Sequence, residues 1–143
     1  MMKKIFLLLA IINFACVATM AQSNAEAIIR SEIEKQRLDW NKGNIEGFMT
    51  PYWQSDSLMF IGKSGITYGW QKTLENYKRG YPDTAAMGKL DFNLLQVRKL
   101  SDSYVFVVGK WHLTRSVGNV GGHFTLLFRK INNKWLIVAD HSS

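Results

Sequence analysis

Apolar and polar positions along this chain follow a helical period in the first half and a period of two in the second. From Ala25 to Lys42, Ile29, Ile33 and Trp40 recur at helical spacing with Ile28 and Leu38 flanking them, and Gly43 supplies a stop. An amphipathic helix of about five turns is predicted there. Asn44 is placed to cap a short second helix through Ile45, Phe48 and Met49. Pro51 ends that helix, because proline disfavours helical geometry in the residue before it, and Tyr52 and Trp53 then fall at a corner. Leu58 to Ile61 and Ile66 to Tyr68 predict two short strands around Lys63-Ser64-Gly65. Trp70, Leu74 and Tyr77 lie at i, i+4 and i+7, which predicts a third helix from Trp70 to Lys78. Gly80 to Gly88, with Pro82 and Asp83, is the longest irregular stretch and the expected mobile rim loop.

Beyond it the period becomes two. Leu90 to Leu100, Tyr104 to Thr114, Gly121 to Lys130 and Trp135 to Ser142 read as four successive strands, joined at Ser101-Asp102-Ser103, Ser116 to Asn119 and Asn132-Asn133. Helices first and an antiparallel meander afterwards make an α+β pattern. The last hairpin can be registered from its turn, since Asn132-Asn133 tolerates the positive φ of a two-residue turn. Such a turn pairs Phe128 with Ile137, Leu126 with Ala139 and Phe124 with His141. His141 is therefore expected at the end of an apolar face, with Asp140 on the opposite face; a bulge in the turn would exchange the two.

Composition narrows the class. Met1 to Ala21 has the form of a cleavable export signal, with Lys3-Lys4, an apolar run from Ile5 to Val17 and small residues before Gln22. A lipoprotein signal built on Cys16 is the alternative, disfavoured by Asn13 and Phe14. Export to the periplasm or beyond is expected, leaving residues 22–143 as a single domain with no anchoring in the membrane after cleavage. Hydrophobic residues make up 47% of the chain and aromatics 13%, enough for a packed core. The only cysteine, Cys16, lies in the signal, so packing without disulfides must hold the domain together. The formal charge of +7 is dispersed, with no stripe dense enough for nucleic acid. It leaves a mild preference for anionic small ligands.

The order helix, short helix, hairpin, helix and four-strand meander resembles the nuclear transport factor 2-like (NTF2-like) superfamily, and within it the SnoaL-like and DUF4440 group. The residues that carry the resemblance are Trp40-Asn41-Lys42-Gly43-Asn44 with Phe48, Tyr68-Gly69-Trp70, Gly109-Lys110-Trp111 and the stretch Gly121 to Ser143. The resemblance implies a cone, three N-terminal helices packed on a strongly bent antiparallel sheet with a cavity at the open end. It also implies that an Asp or His on the pocket face serves as general acid/base in those relatives that are ketosteroid-isomerase-like or SnoaL-like enzymes, with a Tyr or protonated Asp polarising a carbonyl. The superfamily hosts many activities, so fold alone names none.

The candidate catalytic residues are His141, Asp140 and Asp39, the last of which could equally pair with Lys35 or Lys42 one helical turn away. His112 joins them if the mixed face of its strand, shared with Lys110 and Val108, lines the cavity. Trp40, Tyr52, Phe60, Tyr68, Trp70, His112 and Phe124 are the expected pocket residues. No metal pattern, phosphate loop or serine elbow is present in the sequence, and no cofactor is expected. Because spacing places no pair of carboxylates and no carboxylate–tyrosine pair on one face, an exported, non-catalytic small-molecule-binding domain is favoured, with an isomerase, cyclase or hydro-lyase as the alternative. Leu127, Leu136 and Val138 on the outer sheet face would form an apolar patch, which predicts a homodimer.

Overall fold

The computed structural model describes residues 24–143; the export signal expected over 1–21 lies outside the described residues. Helix α1 covers 24–41, followed by α2 (Ile45–Phe48), β1 (Met59–Gly62), β2 (Gly65–Tyr68), α3 (Trp70–Gly80), α4 (Thr84–Met87), β3 (Lys89–Lys99), β4 (Tyr104–Thr114), β5 (Val120–Ile131) and β6 (Lys134–Ser142). The strands form one sheet in the order β2-β1-β6-β5-β4-β3. It is antiparallel except for β1 against β6, which run parallel. The sheet curls without closing, and the helices pack into its concave face. This is the α+β cone that the sequence predicts.

The helical stripe is buried as its spacing demands. Ile29, Ile33 and Trp40 are all at most 3% exposed, while the flanking Ile28 and Leu38 remain open to solvent. One further position on that stripe is polar: Gln36, which donates from Nε2 to the carbonyl of Phe48 at 3.0 Å and so fixes α2 against α1. Gly43 takes φ +78° at the α1 exit. Asn44 then caps α2 by accepting from the Gly47 amide at 2.9 Å.

The stretch Gly80–Gly88, expected to be irregular, contains α4 instead. Asp83 supplies its cap, accepting from the Ala86 amide at 2.8 Å. The indole of Trp40 donates to the Met87 carbonyl at 3.0 Å, so the turn is tied to α1. A capping Asp three residues ahead of a helical amide was present in the sequence, but four residues are too few to produce a hydrophobic period.

Two bulges bend the sheet. One sets Leu95 out of register between β3 and β4. The other decides the site. Register follows the two-residue turn from Ile131↔Lys134 to Phe128↔Ile137, then slips so that Leu127 pairs with Ala139, Leu126 with Asp140 and Thr125 with His141. Val138 is the extra residue. Up to Ile137 the odd-numbered side chains of β6 face inward, and beyond Val138 the even-numbered ones do.

Candidate functional site

A cavity of about 560 Å³ opens between the concave sheet face and the helices. That is room for a drug-sized organic molecule. Most of its wall is apolar or aromatic. The sheet contributes Phe92, Trp111, Leu113, Phe124 and Leu126, and the helical side contributes Ile33, Trp40 and Phe48. Tyr77 stands at the junction of an aromatic cluster, with its ring centroid 5.2 Å from Phe48, 5.7 Å from Phe60 and 6.0 Å from Trp40.

Asp140 lies in this apolar wall and is 3% exposed. The Tyr52 hydroxyl donates to its Oδ2 at 2.6 Å and the Ser142 hydroxyl to its Oδ1 at 2.9 Å. Local chain geometry makes the first bond possible. Pro51 breaks α2, and the extended residues after it join β6, with the Ile137 amide donating to the Pro51 carbonyl at 2.8 Å and the Trp53 amide to the Ile137 carbonyl at 2.9 Å. Tyr52 is thereby held beside the strand that carries Asp140. The parallel β1–β6 pairing sets Phe60 directly against Asp140.

Burial pushes the Asp140 carboxyl up to about 6, against the lowering effect of the Tyr52 and Ser142 donors and the nearby His141. At neutral pH the group is mostly ionised and still basic enough to take a proton in the working range. Burial, and then the charge of Asp140, also raise both the Tyr52 and the Tyr77 hydroxyls, which are near enough to alter each other's proton affinity. Both tyrosines are therefore protonated donors. A carboxylate, a bound tyrosine and a second tyrosine converge in an apolar cavity, the arrangement needed to hold a polar group of a ligand or to exchange a proton with it.

The expected site residues divide sharply. Trp40, Tyr52, Phe60, Phe124 and Asp140 line the cavity. His141 does not: the Val138 bulge turns it outward, where it is exposed, and gives its expected place to Asp140. His112 is exposed as well, because the apolar face of β4 with Trp111 and Leu113 is the one turned inward. Tyr68 is 61% exposed on the edge strand β2. Trp70 packs against the core from outside the cavity and donates its indole N–H to the Met49 carbonyl at 3.1 Å. Asp39 pairs with Lys35 at 2.6 Å on α1 and takes no part in the cavity.

Gln36 and Tyr77 were not among the expected site residues. Each left a signal, a polar group on the apolar stripe of a helix. Among the described residues no group of three His, Cys, Asp or Glu side chains converges to hold a metal ion.

No family profile and no functionally curated protein matches the sequence. Among solved structures, an NTF-2 like protein of unknown function from Shewanella oneidensis MR-1 is 38% identical, with a TM-score of 0.78 over 82% of this chain and 97% of that one. The chain belongs to the NTF2-like family. An NTF2-like superfamily protein from Salmonella enterica serovar Typhimurium LT2 shares the fold at 21% identity and TM-score 0.67, over 85% of this chain and 92% of that one. A ketosteroid isomerase-like protein from Erwinia carotovora atroseptica SCRI1043 shares it at 16% identity and TM-score 0.64, over 82% of this chain and 93% of that one. In this NTF2-like chain the open end of the cone carries the cavity just described.

Proposed function

We propose that this NTF2-like domain binds a small organic molecule in its cavity, with Asp140 and Tyr52 contacting the ligand's polar group. The observation that carries the reading is the 2.6 Å Tyr52–Asp140 hydrogen bond inside a mostly apolar and aromatic wall. Burying a carboxylate costs stability that its hydrogen bonds only partly offset, and apolar pockets obtain orientation from a few such polar groups.

One observation favours the catalytic form of this reading. Asp140, held near 6 beside two protonated tyrosines, has the proton affinity of a general acid/base acting on an enolisable or eliminable substrate. Asp140 removes a C–H proton as base and returns it at another atom, and a tyrosine hydroxyl donates to the oxygen on which charge develops. The SnoaL-like and DUF4440 grouping, export by residues 1–21 and a homodimer formed through the outer sheet face complete the proposal.

The test is a thermal-shift screen of small carbonyl, aromatic and anionic metabolites, followed by incubation of each hit with the protein in D2O. Protein-dependent deuteration of the hit that Asp140→Asn abolishes supports the enzyme. Binding weakened by Asp140→Asn without any exchange supports a binding module. A hit that binds wild type and Asp140→Asn equally overturns the assignment of Asp140 to the site.

A further inference from the structure

Lys63, in the turn between β1 and β2, and Arg79, in the last turn of α3, both line the mouth of the cavity. Among the described residues no carboxylate lies within 4.0 Å of either cation. Among the described residues Asp140 is the one acidic side chain in the lining, and it is buried beside the Tyr52 ring. Arg79 is held in place: its Nη2 donates to Asn76 Oδ1 at 3.1 Å, and Asn76 donates in turn to Thr67 Oγ1 on β2 at 3.2 Å. This chain of bonds ties the end of α3 to the hairpin that carries Lys63.

We infer that the ligand is an organic anion whose acidic group meets Lys63 and Arg79 at the mouth while its apolar body enters between Tyr77 and Phe124. The inference rests on the cavity being a ligand site, as proposed above. Two cations with no acidic partner at the rim of an apolar cavity attract an anion and hold it by charge-assisted hydrogen bonds, Arg79 offering a planar fork suited to a carboxylate or sulfonate. Phe60 pairs with Asp140 and lies three residues before Lys63, so the Lys63 backbone is offset from the level of Asp140 by roughly 10 Å along the chain. The acidic group of the ligand and the deep carboxylate are thereby kept at different levels of the cavity.

Fluorescent probes that share a skeleton test this: 1-anilinonaphthalene-8-sulfonate and its uncharged counterpart N-phenyl-1-naphthylamine. The expected result is that the sulfonate binds roughly tenfold more tightly at low salt, that each probe displaces the other, and that the preference disappears at high salt. The double variant Lys63→Gln/Arg79→Gln should bind both probes with the affinity wild type has for the uncharged one. Lys63→Arg/Arg79→Lys should keep the preference. Equal affinity of wild type for the two probes, a preference that survives in the glutamine variant, or a sulfonate that the uncharged probe cannot displace overturns the inference while leaving the cavity reading standing. If neither probe binds, the cavity reading falls and the inference with it.

Discussion

The Tyr52 hydroxyl donates to Asp140 Oδ2 at 2.6 Å across 88 residues of sequence, from a corner after a broken helix to the end of the last strand. Burial raises the proton affinity of Asp140 and the tyrosine lowers it. Tyr52→Phe removes a donor to the ionised form and leaves the burial unchanged, so the Asp140 carboxyl should titrate above 6 in the variant. A 13C-carboxyl NMR titration reads this directly. A titration point that falls, or stays where it was, would show that the hydrogen bond is not what restrains Asp140.

The same group sets a pH dependence of stability. Its folded value, about 6, lies above the usual 3.8, so the folded state binds more protons than the unfolded state between those values. Stability is therefore greatest when the carboxyl is protonated and declines as pH rises from about 4 through 6. Asp140→Asn removes this ionisation. The variant should gain on wild type across that window, by up to about 3 kcal/mol at neutral pH, the free-energy equivalent of the shift. Glu34, Glu46 and Asp102 are held below their ordinary values by Arg37, Lys78 and Lys99, and act in the opposite direction at more acidic pH. Paired thermal melts from pH 4 to 7 separate the two effects. A difference between variant and wild type that is flat over the window contradicts the assignment.

Gly109 on β4 pairs with Phe124 on β5, and a Cβ there would lie 2.4 Å from Phe124 Cζ and 3.1 Å from the Asn93 carbonyl oxygen. The Phe124 ring lies across the glycine and completes the cavity wall, with Phe92 edge-on at 5.3 Å. Gly109→Ala must push that ring aside. The expected cost is about 1–3 kcal/mol from overpacking, measured by urea denaturation, with weaker binding of any cavity ligand. A variant as stable as wild type would mean that the ring relaxes freely and that the wall is softer than its packing implies.

Most of the fold was legible because its signals are local. The stripe of α1, the Asn44 cap, the stop at Pro51 and the turn at Asn132-Asn133, with φ of 48° and 64°, each depend on a few adjacent residues. The turn even yields the correct hairpin register as far as Phe128↔Ile137. The site depended on one extra residue beyond that point. Nothing about Val138 announces a bulge, since a β-branched residue in an apolar strand fits either register. The cost of the slip is local, whereas its consequence, exchanging Asp140 for His141 on the inner face, is chemical. Tyr52 was expected in the pocket, but its partner could not be inferred, because a parallel bridge to Ile137 pairs residues far apart in sequence.

That exchange separates two variants at neighbouring positions. His141 is exposed and pairs with Ile61 and Thr125 on the flanking strands, so His141→Ala should leave ligand affinity within about twofold of wild type and cost under 1 kcal/mol of stability, as surface substitutions do. Its effect on the site should be electrostatic. The imidazole lowers the proton affinity of Asp140, so the carboxyl should titrate slightly higher without it. Asp140→Asn keeps the shape but exchanges an acceptor of two hydrogen bonds for an amide, leaving a ligand donor without its charged partner. It should weaken binding by about 1–3 kcal/mol, the cost of an unsatisfied buried group. Calorimetric titration of a screening hit against both variants decides the matter. If His141→Ala is the one that loses affinity, Val138 is not bulged in solution and β6 presents its odd-numbered face to the cavity along its whole length.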